Sequence, residues 1–339
     1  MKRILLPVIQ AAITLFLLWW IFRKPETRTD MMRALMSADY LWLIPGLLSV
    51  GVACLLQTER WRLLMKVQGI SLGWFRTLRV YMIGLFFNLF LLGATGGDVV
   101  KIFYAMRETA SKKSAAFLSV LVDRMMGLLA LVAITAVLVF LRFDALMTKP
   151  ALLGSLALIM GAMVGLVLVG FIVDRFHLAH KLPKWLPLHA KIVEFASAFS
   201  IYARDARVMA LTFGLSIPAH LLNFLAFYFA ARAFGAFAQP TGVLDIFSVL
   251  PIVNTIAALP ISLSGVGVRE QLFYDMFNSL FGTPESLAVM ISITGFMMTV
   301  FWALIGGVVY LFYRPSGGLH LKEVEEEVEA VEESIENQA

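Results

Sequence analysis

Leu287–Phe312 reads LAVMISITGFMMTVFWALIGGVVYLF, 26 residues without a charge. A helix needs about 20 apolar residues to cross the hydrocarbon of a bilayer. A membrane strand would alternate apolar and polar residues over about ten positions, and this run does not. Five further runs share its character: Ile4–Phe22, Tyr40–Gln57, Met125–Leu141, Ala151–Val173 and Val208–Ala231. The first follows Lys2 and Arg3 as a signal peptide would, yet it is too long and ends Trp19-Trp20-Ile21-Phe22. Interfacial tryptophans suit a retained anchor. Composition agrees: the 339 residues are 60% hydrophobic and 15% charged, with a mean hydropathy of +0.83. A soluble chain of this size carries far more charge. The expected fold is an all-α, polytopic membrane helix bundle with six crossings.

Two more apolar segments break at glycine and meet charge at once. Tyr81–Leu92 runs into Gly93-Ala94-Thr95-Gly96-Gly97-Asp98. Ile246–Leu263 is interrupted by Pro251, Asn254 and Pro260, then reaches Ser264-Gly265-Val266-Gly267-Val268-Arg269-Glu270. Irregular backbone is tolerated at membrane depth only where protein or a wet cavity satisfies it. Paired interruptions in the two halves of a chain point to a transporter's binding site. With both segments re-entrant and the N-terminus inside, the cytoplasmic face receives 19 Lys and Arg and the outer face 8. That is a positive-inside distribution with both termini cytoplasmic. The first segment then dips in from the cytoplasm and the second from the opposite face, as an inverted repeat produces. Beyond the shared pattern of apolar run, glycine break and charge, the sequence itself displays no repeat.

The only cysteine, Cys54, lies in an apolar run, which excludes disulfides and cysteine metal sites. No cofactor is indicated. Residues 1–314 form the membrane body, and 315–339 an acidic tail. From Lys322 onward the tail holds eight glutamates and one lysine. Val324, Val328, Val331 and Ile335 give it one apolar seam, which suits a short helix with a soluble or membrane partner, or a solvated tail. The basic surplus of the body reads as loops facing anionic lipid and not as a nucleic-acid surface. Arg60-Trp61-Arg62, Arg76 and Arg79 are expected at that cytoplasmic rim.

Gly96 and Gly97 allow a tight turn, and Asp98 suits the N-cap of a helix running through Lys101 to Arg107. Amides at such a start, with Lys101 one turn on, attract phosphate. In the second stretch, Ser264, Gly265 and Gly267 precede Arg269 and Glu270, and an Arg after a glycine break can bind phosphate bidentately. These nine positions are the candidate substrate-binding residues. Asp123 and Arg124 lie where 115–141 exceeds one straight crossing. Either an interfacial helix ends near Arg124, or a charge pair is buried, which is usually functional. Asn88, His220, Asn223 and Asn254 sit in apolar runs, where interhelical hydrogen bonds are the ordinary role. Asn88 and Asn254 are candidate supports for the site, with Asp123 and Arg124.

Gly96-Gly97-Asp98-Val99-Val100-Lys101 and Leu259–Glu270, with Arg60-Trp61-Arg62 and Asp123-Arg124, resemble the lysylphosphatidylglycerol synthase transmembrane (flippase-like) family over residues 1 to about 314. The resemblance implies a bacterial or archaeal cytoplasmic-membrane protein. It implies movement of an anionic or aminoacylated phospholipid, or a polyprenyl-linked lipid, between leaflets. The acidic tail has no room for an aminoacyl-transfer domain, and no Walker motif occurs. The competing readings are a membrane-embedded lipid or polyprenyl-phosphate transferase using Asp98, Asp123 and Glu270, and a non-catalytic scaffold docking through its tail.

Overall fold

The computed structural model describes residues 12–17, 19–20, 23–90, 96–108, 113–141, 200–202, 204–235, 242–257, 262 and 265–313, with scattered positions between 143 and 168. Among them the secondary structure is helical, without strands. The helices are α1 (Pro25–Met36), α2 (Leu43–Val67), α3 (Trp74–Phe90), α4 (Gly96–Glu108), α5 (Lys113–Leu141), α6 (Ala206–Ala233), α7 (Val243–Ala257), α8 (Val268–Phe281) and α9 (Glu285–Phe312). Among the described residues four spans are long and apolar enough to cross a membrane: Tyr40–Val67, Ser114–Leu141, Ala206–Ala233 and Glu285–Phe312. Two of the six expected crossings, Ile4–Phe22 and Ala151–Val173, fall largely outside the described residues, as does the acidic tail.

Apart from α1, the remaining helices come in two short pairs. α3 and α4 have 17 and 13 residues, α7 and α8 have 15 and 14. At 1.5 Å per residue each is about 20–25 Å long, short of the roughly 30 Å hydrocarbon core. Within each pair the two helices pack on each other. Both pairs are hairpins, as re-entrant segments require.

The order long, short, short, long therefore occurs twice, as α2–α5 and α6–α9. Packing repeats with it. α3 packs on α9 and α7 on α5; α2 packs on α5 and α6 on α9; α2 packs on α9 and α6 on α5. The contacts α2–α3, α3–α4 and α4–α5 likewise match α6–α7, α7–α8 and α8–α9, while α2 and α6 pack on each other. The two units run in opposite senses. Asp39, just before α2, donates its backbone N–H to the carbonyl of Ala233 at the end of α6, 2.8 Å. At the other end the Tyr202 hydroxyl, just before α6, donates to the Leu64 carbonyl near the end of α2, 3.1 Å. Lys24 pairs with Glu285 at 2.5 Å, which places the start of α9 at the face where α6 ends. The bundle is an inverted repeat, and its hairpins enter from opposite faces.

The helices decide one alternative left open by the sequence and correct two expectations. α5 is one continuous helix, so no separate interfacial helix ends at Arg124; the charged pair lies inside a span. α7 runs unbroken through Pro251 and Asn254, because neighbouring helices cover the segment and a membrane helix accommodates one proline. Asp98 is the third residue of α4, whose helix begins at Gly96, so it does not act as an N-cap. Close backbone approach binds the halves. A Cβ on Gly306 of α9 would stand 2.0 Å from the Met82 carbonyl oxygen of α3. Small residues at membrane helix interfaces serve this purpose.

Candidate functional site

Arg60 on α2 is one turn beyond Gln57, on the face that also buries Ala53, Cys54, Trp61 and Leu64. It therefore points into the bundle and not to the rim expected from sequence. There its Nε donates to Asp123 of α5 at 2.7 Å and its Nη1 to the Ser216 hydroxyl of α6 at 2.9 Å. Gly127, one turn beyond Asp123, leaves room for the guanidinium: a Cβ there would be 3.1 Å from Arg60 Nη1. Of the expected basic rim, Trp61 is also buried, and Arg62 turns out to pair with Glu59.

The tip of the α3–α4 hairpin completes the cluster. Asn88 of α3 accepts the Gly97 N–H at 2.9 Å, which ties the two arms together. Asp98 pairs with Arg124 of α5. Lys101, one helical turn on, lies 3.7 Å from Asp98 and 3.5 Å from Asp123. Its ammonium also faces the rings of Trp61 and Tyr81, each centroid 5.2 Å away, so aromatic faces supplement the carboxylates. Arg60, Asp98, Lys101 and Asp123 are all buried. Ionic groups survive such burial only when paired and hydrogen-bonded. His220 of α6 closes one side, with its Nε2 donating to the Gly127 carbonyl at 2.9 Å.

These groups surround a cavity of about 270 Å³. Asn88, Asp98, Lys101, Asp123 and Arg124, singled out from sequence, all line it, together with Gln57, Arg60, Tyr81 and His220. Asp123 is the eleventh residue of α5, so the cluster sits about 15 Å along the helix from its start. Gly96 and Gly97 lie in the first turn of α4 beside it. Sequence reasoning missed Arg60, Ser216 and Gly127. The signal for Arg60 was available: it continues the helical spacing of the buried residues Ala53 and Cys54 and the half-buried Gln57.

The second glycine stretch forms a separate knot. Gly265 and Gly267 both have positive φ, 76° and 86°. Glu270 accepts the Gly267 N–H at 2.6 Å, and Arg269 donates to the same carboxylate at 2.6 and 3.0 Å. The Ser292 hydroxyl of α9 adds a bond of 3.2 Å, and the guanidinium lies 3.8 Å over the Phe296 ring. Arg269 and Glu270 thus satisfy each other, and neither lines the cavity. Asn254 is half-buried on α7, also apart from it; Ser264 lies outside the described residues. Gly267 is hemmed in as well, since a Cβ there would stand 2.7 Å from Leu17 Cβ. Replacing Gly267 with Ala is expected to destabilise the fold by about 1–2 kcal/mol through backbone strain alone. Thermal melting in detergent checks this, and an unchanged midpoint would contradict it. Among the described residues no group of three or more His, Cys, Asp or Glu is placed to hold a metal ion.

An inverted repeat of apolar helices, with a hairpin entering from each face and a charged cavity at one hairpin tip, defines a polytopic membrane protein. Its family follows from the comparison of sequences. The chain matches the model of the lysylphosphatidylglycerol synthase TM region over residues 8–307 and belongs to that family. It is similar to a UPF0104 membrane protein of Pyrococcus horikoshii, 25% identical over 339 residues, covering 93% of this chain and 98% of the relative. A UPF0104 membrane protein of Methanothermobacter thermautotrophicus is 22% identical over 271 residues, covering 73% and 76%.

Proposed function

We propose that this chain is a flippase-like carrier that takes a lipid headgroup into the cavity at the α3–α4 tip and passes it between leaflets. The observation that carries the reading is the set of Arg60, Lys101 and Arg124 against Asp98 and Asp123, all but the half-buried Arg124 buried, held in the membrane body around about 270 Å³ of open space. Charges at such depth are costly, and where they border a cavity they mark a substrate path. A volume of this size falls just below the roughly 300–1,000 Å³ of pockets that enclose whole small ligands. It suits a headgroup, with the acyl chains left in lipid. The inverted repeat adds support, since carriers of this architecture work by moving one unit against the other around a central site.

Leaflet exchange of a fluorescent phospholipid in proteoliposomes tests the reading. Lys101→Met removes the cation that faces Trp61 and Tyr81 while keeping an unbranched apolar stem beside Gly84. It is expected to slow exchange about tenfold or more, equivalent to at least about 1.4 kcal/mol of barrier. Wild-type exchange by a folded Lys101→Met protein would refute the role assigned to the cavity. Arg269→Ala is expected to abolish exchange as well, through the opposed hairpin. In that variant an unchanged rate would confine function to the first hairpin.

A further inference from the structure

We infer that the cavity selects a headgroup with one net negative charge and no cation of its own, a phosphodiester monoanion. This rests on the carrier reading above and narrows its substrate; zwitterionic and aminoacylated headgroups are disfavoured.

Charge balance around the cavity carries the inference. Among the described residues three cations, Arg60, Lys101 and Arg124, and two carboxylates, Asp98 and Asp123, line it. His220 adds no charge: its Nε2 is engaged with the Gly127 carbonyl, and no described carboxylate pairs with it to hold a second proton. Residues 91–95, between the hairpin arms, are Leu-Leu-Gly-Ala-Thr and carry none either. Among the described residues the surplus is one positive charge, and the geometry locates it. Arg60 holds Asp123 at 2.7 Å, and Arg124 holds Asp98 through its Nε. Lys101 is left between the same two carboxylates at 3.5 and 3.7 Å, beyond the usual 2.7–2.9 Å of a charge-assisted hydrogen bond. It is 5% exposed, so water does little to offset its charge.

One monoanionic phosphodiester would neutralise the site and use the ammonium's three donors. A dianionic phosphomonoester would leave a net negative charge. A zwitterion or an aminoacylated headgroup would bring a cation to carboxylates already taken by arginines.

The test is binding to the purified full chain in neutral detergent, read by native mass spectrometry. The probes are phosphatidylglycerol, phosphatidylethanolamine, lysylphosphatidylglycerol and phosphatidic acid, with soluble glycerophosphoglycerol as the same phosphodiester without acyl chains. Phosphatidylglycerol is expected to bind at least tenfold more tightly than the other three lipids. Lys101→Met is expected to erase that preference. Asp98→Asn, which raises the surplus to two, is expected to move it toward phosphatidic acid. Equal or tighter binding of phosphatidylethanolamine or lysylphosphatidylglycerol by the wild type overturns the charge assignment and leaves the carrier reading standing. Binding of glycerophosphoglycerol as tight as that of the lipid supports the monoanion and overturns the carrier reading instead. If one variant fails to fold, the wild-type ranking and the other variant still decide.

Discussion

Replacing Asp123 with Ala is expected to cost about 3–5 kcal/mol of stability, because it leaves buried cations without their counter-ion. Arg60 would lose its 2.7 Å bond, and Lys101 the nearer of its two carboxylates. The Ser216 hydroxyl, already bonded to Arg60, cannot neutralise the guanidinium. Replacing both partners removes the uncompensated charge, so Arg60→Met with Asp123→Leu is expected to recover most of the loss. The same double variant is expected to be inactive in leaflet exchange. Thermal unfolding in detergent provides the measurement. A single variant within about 1 kcal/mol of the wild type would mean that the pair is not structurally coupled.

Gly97→Ala is the second large effect. A Cβ at Gly97 would stand 1.9 Å from the Gly84 carbonyl oxygen and 2.5 Å from Asn88 Cγ. The nearest atom is backbone, so no rotamer change relieves the overlap and the arms of the hairpin must part. Overpacking costs about 1–3 kcal/mol where side chains yield, and this site is expected at or above the top of that range. Because Asp98 and Lys101 lie on the displaced arm, lipid exchange should fall with stability. Gly214→Ala is the control: a Cβ there would meet nothing within 4 Å, and little change is expected. Equal melting points for the two variants would show that the hairpin arms do not pack this closely.

Much of the molecule follows from local chemistry. Runs such as Leu287–Phe312 require a membrane and therefore helices, since lipid satisfies no backbone hydrogen bond. Glycine breaks after short apolar segments mark two hairpins, and the distribution of Lys and Arg assigns them to opposite faces. Asn88, Asp98, Lys101, Asp123 and Arg124 stand out as polar groups in apolar surroundings, and all five line one cavity.

Other features depend on how helices turn toward one another. Arg60 resembles its neighbour Arg62 in sequence, yet one meets Asp123, 63 residues away, while the other pairs with Glu59 on its own helix. Two residues, a rotation of about 200° in helix azimuth, separate those fates, and only the packing of α2 on α5 and α6 sets which side faces inward. For the same reason the packing decides that Arg269 and Glu270 engage each other away from the cavity, and that α5 stays unbroken through a charged pair. Length and polarity along the chain determine that it enters a bilayer and where it turns back. Which buried charges meet, and what balance they leave at Lys101, is a property of the tertiary structure, because pairing energy depends on distances that a linear sequence does not contain.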